Sequence, residues 1–226
     1  MTELLVEAKA VTKSYPDADG QAIAVLSGVD CEIDPGAMIA LIGPSGSGKS
    51  TLLHILSGLI DPSAGLVRWP ALGARGQLMP QKVQTVFQAQ SLFASLTVRD
   101  NIALPLLLAG RDAATGFAPN DLLQRFGLAD LALKLPEELS GGQAQRIAML
   151  RALSVSPRMI LADEPTGQLD SATALAFLTD VIAVADQLGA ALVVATHDPA
   201  VAAQMARRWS IDHGKLSVDV HDGVAA

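Results

Sequence analysis

The 226-residue sequence predicts an α/β fold in which buried strands alternate with helices and one helical stretch interrupts the alternation. Three observations carry that expectation. The runs Met38-Ile39-Ala40-Leu41-Ile42, Arg158-Met159-Ile160-Leu161-Ala162 and Ala190-Ala191-Leu192-Val193-Val194-Ala195 are short and apolar, as strands covered on both faces are. Each is followed by turn residues and then by a segment of helical character, the pattern of strands joined by crossover helices. From Ser91 to Leu153 the strand signals stop and helix signals replace them.

Taken in order, residues 4–11 and 22–33 read as half-buried strands, with Pro16-Asp17-Ala18-Asp19-Gly20 a loop between them. Asp34-Pro35-Gly36 turns the chain into the run 38–42, and a helix follows through Leu52-Leu53-His54-Ile55-Leu56-Ser57. Leu66 to Trp69 and Val83 to Phe87 look like strands separated by a Gly/Pro-containing stretch at 70–80. Thr97 can cap a helix through Leu104, which Pro105 stops or kinks. Asn120 or Asp121 caps a second helix that Gly127 ends. Ala172 to Leu188 and Pro199 to Arg208 read as helices, and 209–211 with 215–218 as a terminal hairpin around His213-Gly214.

Composition narrows the functional classes. Half the residues are apolar, enough for one substantial core, and a formal charge of −7 argues against non-specific nucleic-acid binding. The single Cys31 excludes an internal disulfide and reads as a small buried hydrophobe. Met1 to Glu7 has acids and no basic run, so no secretory signal is expected. No uncharged apolar run reaches the ~20 residues of a membrane helix. A soluble chain is expected, with any membrane role supplied by a partner.

Chemistry concentrates at three stations. Gly43-Pro44-Ser45-Gly46-Ser47-Gly48-Lys49-Ser50-Thr51 lies between a strand and a helix, the context a phosphate-binding loop demands. Its glycines let the backbone approach a polyphosphate, and the helix start presents amides to the anion. Lys49 would reach the β/γ-phosphates and Ser50 would sit on Mg²⁺. At the second station, Asp163 and Glu164 end a buried strand, and as strand neighbours they should point opposite ways and hold separate tasks. Asp163 suits Mg²⁺, and Glu164 the orientation or deprotonation of an attacking water. The third is Leu139-Ser140-Gly141-Gly142-Gln143, where Ser140 can cap the following helix and the glycines leave its first amides open. Those residues fit either a capped structural helix or a second anion site, and one triphosphate does not need two such sites from one chain.

With these residues in hand the chain resembles the ATP-binding subunit of an ABC transporter. The phosphate loop, Gln88 after Val86-Phe87, Leu139-Ser140-Gly141-Gly142-Gln143, Asp163-Glu164-Pro165, Leu169-Asp170 and Thr196-His197-Asp198 occur in that family's order and spacing. The resemblance implies a P-loop NTPase (RecA-like) core with an antiparallel β-subdomain and an inserted α-helical subdomain. The whole of 1–226 would be one nucleotide-binding domain, its ATP core approximately 1–88 and 154–226 and its helical subdomain approximately 89–153. It implies ATP hydrolysis with Mg²⁺ in a head-to-tail homodimer. Each ATP would lie between one copy's phosphate loop and the other's Ser140-Gly141-Gly142-Gln143. By the same resemblance Tyr15 would stack on adenine, and Gln88 would touch Mg²⁺ and the attacking water. His197 would hold the γ-phosphate and brace Glu164, and Asp170 would cross the dimer contact. His54, His213 and His221 match no family site.

Glu164-Pro165-Thr166-Gly167-Gln168-Leu169-Asp170-Ser171 and Leu96 to Leu106 further resemble the lipoprotein-release and macrolide-export (LolD/MacB-like) subgroup. That implies an integral-membrane FtsX/MacB-like permease as partner and a place on the cytoplasmic face of the inner membrane through it. Gln168 in place of the usual Asn, a short segment 66–82 and Leu150 at a position usually small depart from the subgroup. Leu92, Phe93, Leu104, Leu106, Leu107 and Leu108 would form the groove that receives the permease. The alternative is a regulatory switch acting on a cell-envelope hydrolase through an FtsX-type protein without moving cargo.

Overall fold

Six strands form the central sheet of the computed structural model, which describes residues 3–89, 91–110 and 116–219. Its order is β5 (Val83–Val86), β6 (Met159–Asp163), β7 (Ala191–Thr196), β3 (Met38–Ile42), β8 (Arg207–Asp212) and β9 (Lys215–Asp219). All neighbours are parallel except β8 and β9, which form the expected hairpin. A second, antiparallel sheet places β1 (Val6–Pro16) between β2 (Ala22–Ile33) and β4 (Ala64–Arg68).

The central strands are buried on both sides, and their period of two divides the core. Ile39, Leu41, Leu161 and Val193 face β1, β2 and α1 (Lys49–Leu56). Ala40, Ile160, Leu192 and Val194 face the helical side. That side holds α2 (Val98–Leu108), α3 (Pro119–Arg125), α4 (Gly141–Ser154), α5 (Ser171–Leu188) and α6 (Pro199–Ala202). Arg146 knits it together: its guanidinium donates to the Phe126 carbonyl at 2.6 Å and lies 5.4 Å from the Phe177 ring centre. Burial lowers the pKa of that guanidinium, partly offset by Asp180.

By length and composition α5 is apolar enough to cross a membrane. Its stripe of Ala174, Phe177, Leu178, Val181, Val184 and Ala185 instead packs into the core, burial worth about 1.5–3 kcal/mol for each large side chain. Cys31 is also core, and its thiol is pushed up to about 12 by burial, with Asp30 and Glu32 adding to the shift.

Three local expectations are corrected. α2 does not stop at Pro105 but runs to Leu108, because Ile102 and Leu106, one turn apart, are both held in the core against α4. Asn120 and Asp121 lie inside the first turn of α3. Ala118 is the cap, and Pro119 supplies the fixed φ that the first helical position accepts. The helix expected through Arg208 ends at Ala202, since Arg207 and Arg208 are taken into β8 by pairing with Ile39 and Ala40. The stretch 70–80 contains a 3₁₀ turn, Arg75–Gln77. Thr97 does cap α2, accepting from the Asp100 amide, and Gly127 at φ 65 follows α3.

Candidate functional site

Parallel topology gathers the stations, since ligands of such sheets sit at the carboxyl ends of the strands. Ile42 pairs with Thr196 and Asp163 with Ala195, so the turns after β3, β6 and β7 emerge side by side, with Gln88 two residues beyond β5. They enclose a 510 Å³ cavity lined by Ser45, Gly46, Gly48, Lys49, Ser50 and Thr51 of the loop, together with Gln88, Asp163, Glu164 and His197. Val25 of β2 closes one wall, a contribution that no local pattern around it announces.

The loop fits a polyphosphate. Gly48 caps α1 at φ 107 and has no side chain to cap with, so among the described residues no cap hydrogen bond closes off the first amides of α1. A Cβ there would come within 2.9 Å of the Val25 carbonyl, which leaves only glycine at that point. The Lys49 ammonium donates to the carbonyls of Gly43 (2.8 Å) and Pro44 (3.0 Å), so its charge is held at the loop. Among the described residues the buried Ser47 Oγ has no hydrogen-bond partner, and it is a polar atom a bound anion would satisfy.

Glu164 and Asp163 do not point to opposite sides as expected. β6 ends at Asp163, and Glu164 turns into the left-handed region at φ 48, which brings both buried carboxylates to the same cavity. Its amide donates to the Ala195 carbonyl at 2.9 Å. Glu164 Oε1 lies 2.9 Å from His197 Nδ1, and the carboxylate is nearly enclosed (11 % exposed) while the imidazole stands out at 73 %. A carboxylate only accepts, so Nδ1 carries the proton in this contact.

The other expected residues lie elsewhere. Ser140 and Gln143 do not line the cavity. The Gln143 amide donates to Ser140 Oγ at 3.2 Å and Gln143 Oε1 accepts from the Ser140 amide at 2.9 Å, a reciprocal cap on α4. Gly141 and Gly142 are not bare: a Cβ on Gly141 would meet the Gln168 side chain, and one on Gly142 would come 2.9 Å from the Gln168 carbonyl. Gln168, the departure from the subgroup, therefore packs on this helix start. Asp170 caps α5 by accepting from the Thr173 amide at 3.0 Å. Tyr15 stands on β1, 41 % exposed, with the Lys13 ammonium 5.2 Å from its ring centre. His54 packs against Phe87, and His213 lies 3.7 Å from the Asp212 carboxylate. His221 lies outside the described residues.

A second, apolar groove of 320 Å³ opens on the helical side between Met79, Phe87, Phe93, Leu104 and Leu108. Three residues expected there, Leu92, Leu106 and Leu107, do not line it. Leu106 is buried in the core, and Leu92 packs against the core. Leu107 is exposed beside the groove without lining it. Gln145, a buried residue not singled out beforehand, joins α4 to Glu164. A polar residue among the buried positions of α4 was the one signal that could have flagged it.

The fold and cavity define a nucleotide-binding cassette, and the chain belongs to the ABC transporter family, whose sequence profile matches residues 26–167. It is an ATP-binding cassette ATPase of the LolD/MacB-like subgroup. The lipoprotein-releasing system ATP-binding protein LolD of Shewanella oneidensis is 41% identical, covering 96% of this chain and 98% of that one. LolD of Legionella pneumophila (strain Lens) is 40% identical with the same coverage. The dimeric post-hydrolysis structure of the ATP-binding cassette MJ0796 bound to ADP and Pi superposes with a TM-score of 0.85 at 33% identity, covering 96% of this chain and 99% of that one.

Proposed function

We propose that this chain is the ATP-hydrolysing subunit of a LolD-type, lipoprotein-releasing ABC transporter. Two copies would close head to tail on two ATPs and drive an FtsX/MacB-like permease from the cytoplasmic face of the inner membrane. The names of the relatives support cargo release over the regulatory switch, and the dimeric cassette neighbour supports the sandwich. The observation that carries the reading is the cavity itself, where a caged lysine, open helix amides and a histidine-braced carboxylate face one another.

In this reading Lys49 and the amides from Gly46 to Ser50 hold the phosphates, while Tyr15 stacks on the base. Asp163, Ser50 and Gln88 would hold Mg²⁺, a hard cation that takes oxygen ligands and neutralises phosphate charge when bound. Among the described residues no cluster of three or more His, Cys, Asp or Glu side chains gathers to hold a metal; Mg²⁺ commonly takes one or two carboxylates plus phosphate oxygens. Glu164 orients the attacking water and accepts its proton. A neutral His197 that donates to Glu164 keeps only a lone pair at Nε2, so donation to the γ-phosphate requires the doubly protonated ring.

Ser140-Gly141-Gly142-Gln143 of the second copy would meet the γ-phosphate, with Asp170 at the contact. ATP then favours the closed pair by its differential affinity for that state, and phosphate loss removes the preference. Residues 1–226 act as one domain, with the helical part at approximately 89–153 offering the Phe93–Leu108 groove to the permease.

Glu164→Gln should cut turnover by at least ~10²-fold, the scale of a positioned base, with MgATP still bound and the pair intact in sedimentation. Turnover at the parent rate removes Glu164 as the base; single copies remove the sandwich.

A further inference from the structure

Gln145 is the fifth residue of α4, 6 % exposed, and its amide group is engaged at both ends. Nε2 donates to the Glu164 carbonyl at 3.0 Å, and Oε1 accepts from the Gln168 amide at 2.9 Å. These opposite demands orient the amide, because exchanging its N and O would set two acceptors face to face. The Glu164 carbonyl also receives the Gly167 amide at 3.2 Å.

Glu164 needs such support. A residue with a Cβ holds a φ of 48 only when its surroundings impose it, and that turn is what aims the carboxylate into the cavity beside His197. The far end of the same turn, Gln168, rests on Gly141 and Gly142 at the start of α4. The turn 164–168 is thus bonded to α4 by Gln145 and packed on α4 by Gln168.

We propose that Gln145 is a positioning residue: it sets the Glu164 carboxylate through its backbone carbonyl and ties that setting to the first turn of α4. The second half of this proposal rests on the sandwich reading. There the first turn of α4 touches the nucleotide held by the other copy, so Gln145 makes the base of one site sensitive to occupancy of the other. Gln145 itself does not line the cavity.

The test uses two substitutions in the full chain. Gln145→Leu removes both hydrogen bonds, whereas Gln145→Glu keeps an acceptor for the Gln168 amide and replaces the donor with a second acceptor. Both should lower kcat by roughly 10- to 100-fold at pH 8, the scale of one buried hydrogen bond lost from a carbonyl left with the Gly167 amide alone, while MgATP affinity by calorimetry stays within about 2-fold. Burial raises the pKa of an introduced carboxyl, so by pH 6 a fraction carries a proton and donates again. The Glu variant should then recover roughly 10-fold relative to the parent at the same pH, and the Leu variant should not.

Parent-rate turnover in either variant, or a Glu variant that fails to recover, overturns the assignment. If Gln145→Leu does not fold, the Glu variant and its pH recovery decide alone. Sedimentation of Glu164→Gln with MgATP tests the sandwich separately: single copies there overturn the link between sites, and the kinetics still judge the intrachain half.

Discussion

Two helix starts in this molecule carry glycines and have opposite fates. α1 begins at Gly48 with no side-chain cap among the described residues, above a cavity to which Lys49, Glu164 and His197 also contribute. α4 begins at Ser140 with its cap completed by Gln143 and its glycines pressed by Gln168 and Leu169. The first start leaves its donors to a ligand, and its stability does not depend on a local acceptor. The second has satisfied part of its own needs, so whatever it offers another molecule comes from the amides the cap leaves over. Glycine serves approach of a ligand in one place and approach of the chain's own backbone in the other. A motif rich in glycine is therefore only half a statement about binding; its neighbours supply the other half.

The sharpest way to break this contrast is at Lys49. Its ammonium donates to the Gly43 and Pro44 carbonyls, a poor substitute for a phosphate. Lys49→Ala should weaken MgATP binding by roughly 10- to 100-fold, the worth of a charge-assisted hydrogen bond, without a matching loss of thermal stability. Titration calorimetry beside a melting curve checks both halves. Unchanged affinity would mean that the loop does not present Lys49 to the nucleotide.

The α4 start should answer in the opposite way. Gly142→Ala sets a Cβ 2.6 Å from Leu169 Cδ2 and 2.9 Å from the Gln168 carbonyl, so backbone has to move, and a loss of about 1–3 kcal/mol is expected. Gly141→Ala meets only the movable end of the Gln168 side chain and regains helix propensity, so it should cost less. Denaturant midpoints rank the two. Equal costs would show that packing on Gln168 does not explain the second glycine.

What the sequence made legible follows the same division. The strand, turn and helix around 43–51 and the caps at Thr97 and Ser140 are local: residue type and spacing within a few positions determine them, and the structure agrees. The expected opposition of Asp163 and Glu164 failed because strand alternation was carried one residue too far, past a left-handed turn held by Ala195, Gly167 and Gln145. The helix expected to Arg208 failed for a related reason. Residues 203–208 are good helix formers, and only pairing with β3, some 170 positions earlier, draws Arg207 and Arg208 into a strand, where Arg207 also meets Asp34 at 2.7 Å. α2 runs on past Pro105 because the proline's cost is outweighed by burial of Ile102 and Leu106. In each of these places a long-range contact overrules a local preference. Gln145 is the functional instance, since no spacing rule says that a residue of α4 will hold the carbonyl of Glu164.

The smallest effect distinguishes a third helix start, that of α5. Asp170 accepts hydrogen bonds from the Thr173 side chain and then from its amide, and these hold its carboxyl below its ordinary 3.8. A depressed folded-state pKa means that the stabilisation is complete above the ordinary value and is lost as pH falls through the lower, folded one. Asp170→Asn keeps a capping oxygen and removes the charge, so its unfolding midpoint should be nearly that of the parent around pH 7. The difference between the two chains should change below about pH 4, where only the parent has a proton to gain at this position. The carboxylate is exposed and screened by solvent, which keeps the change small. Urea midpoints from pH 7 to 3 measure it, and a difference that stays constant across that range would show that the cap is carried by the oxygen alone and not by its charge.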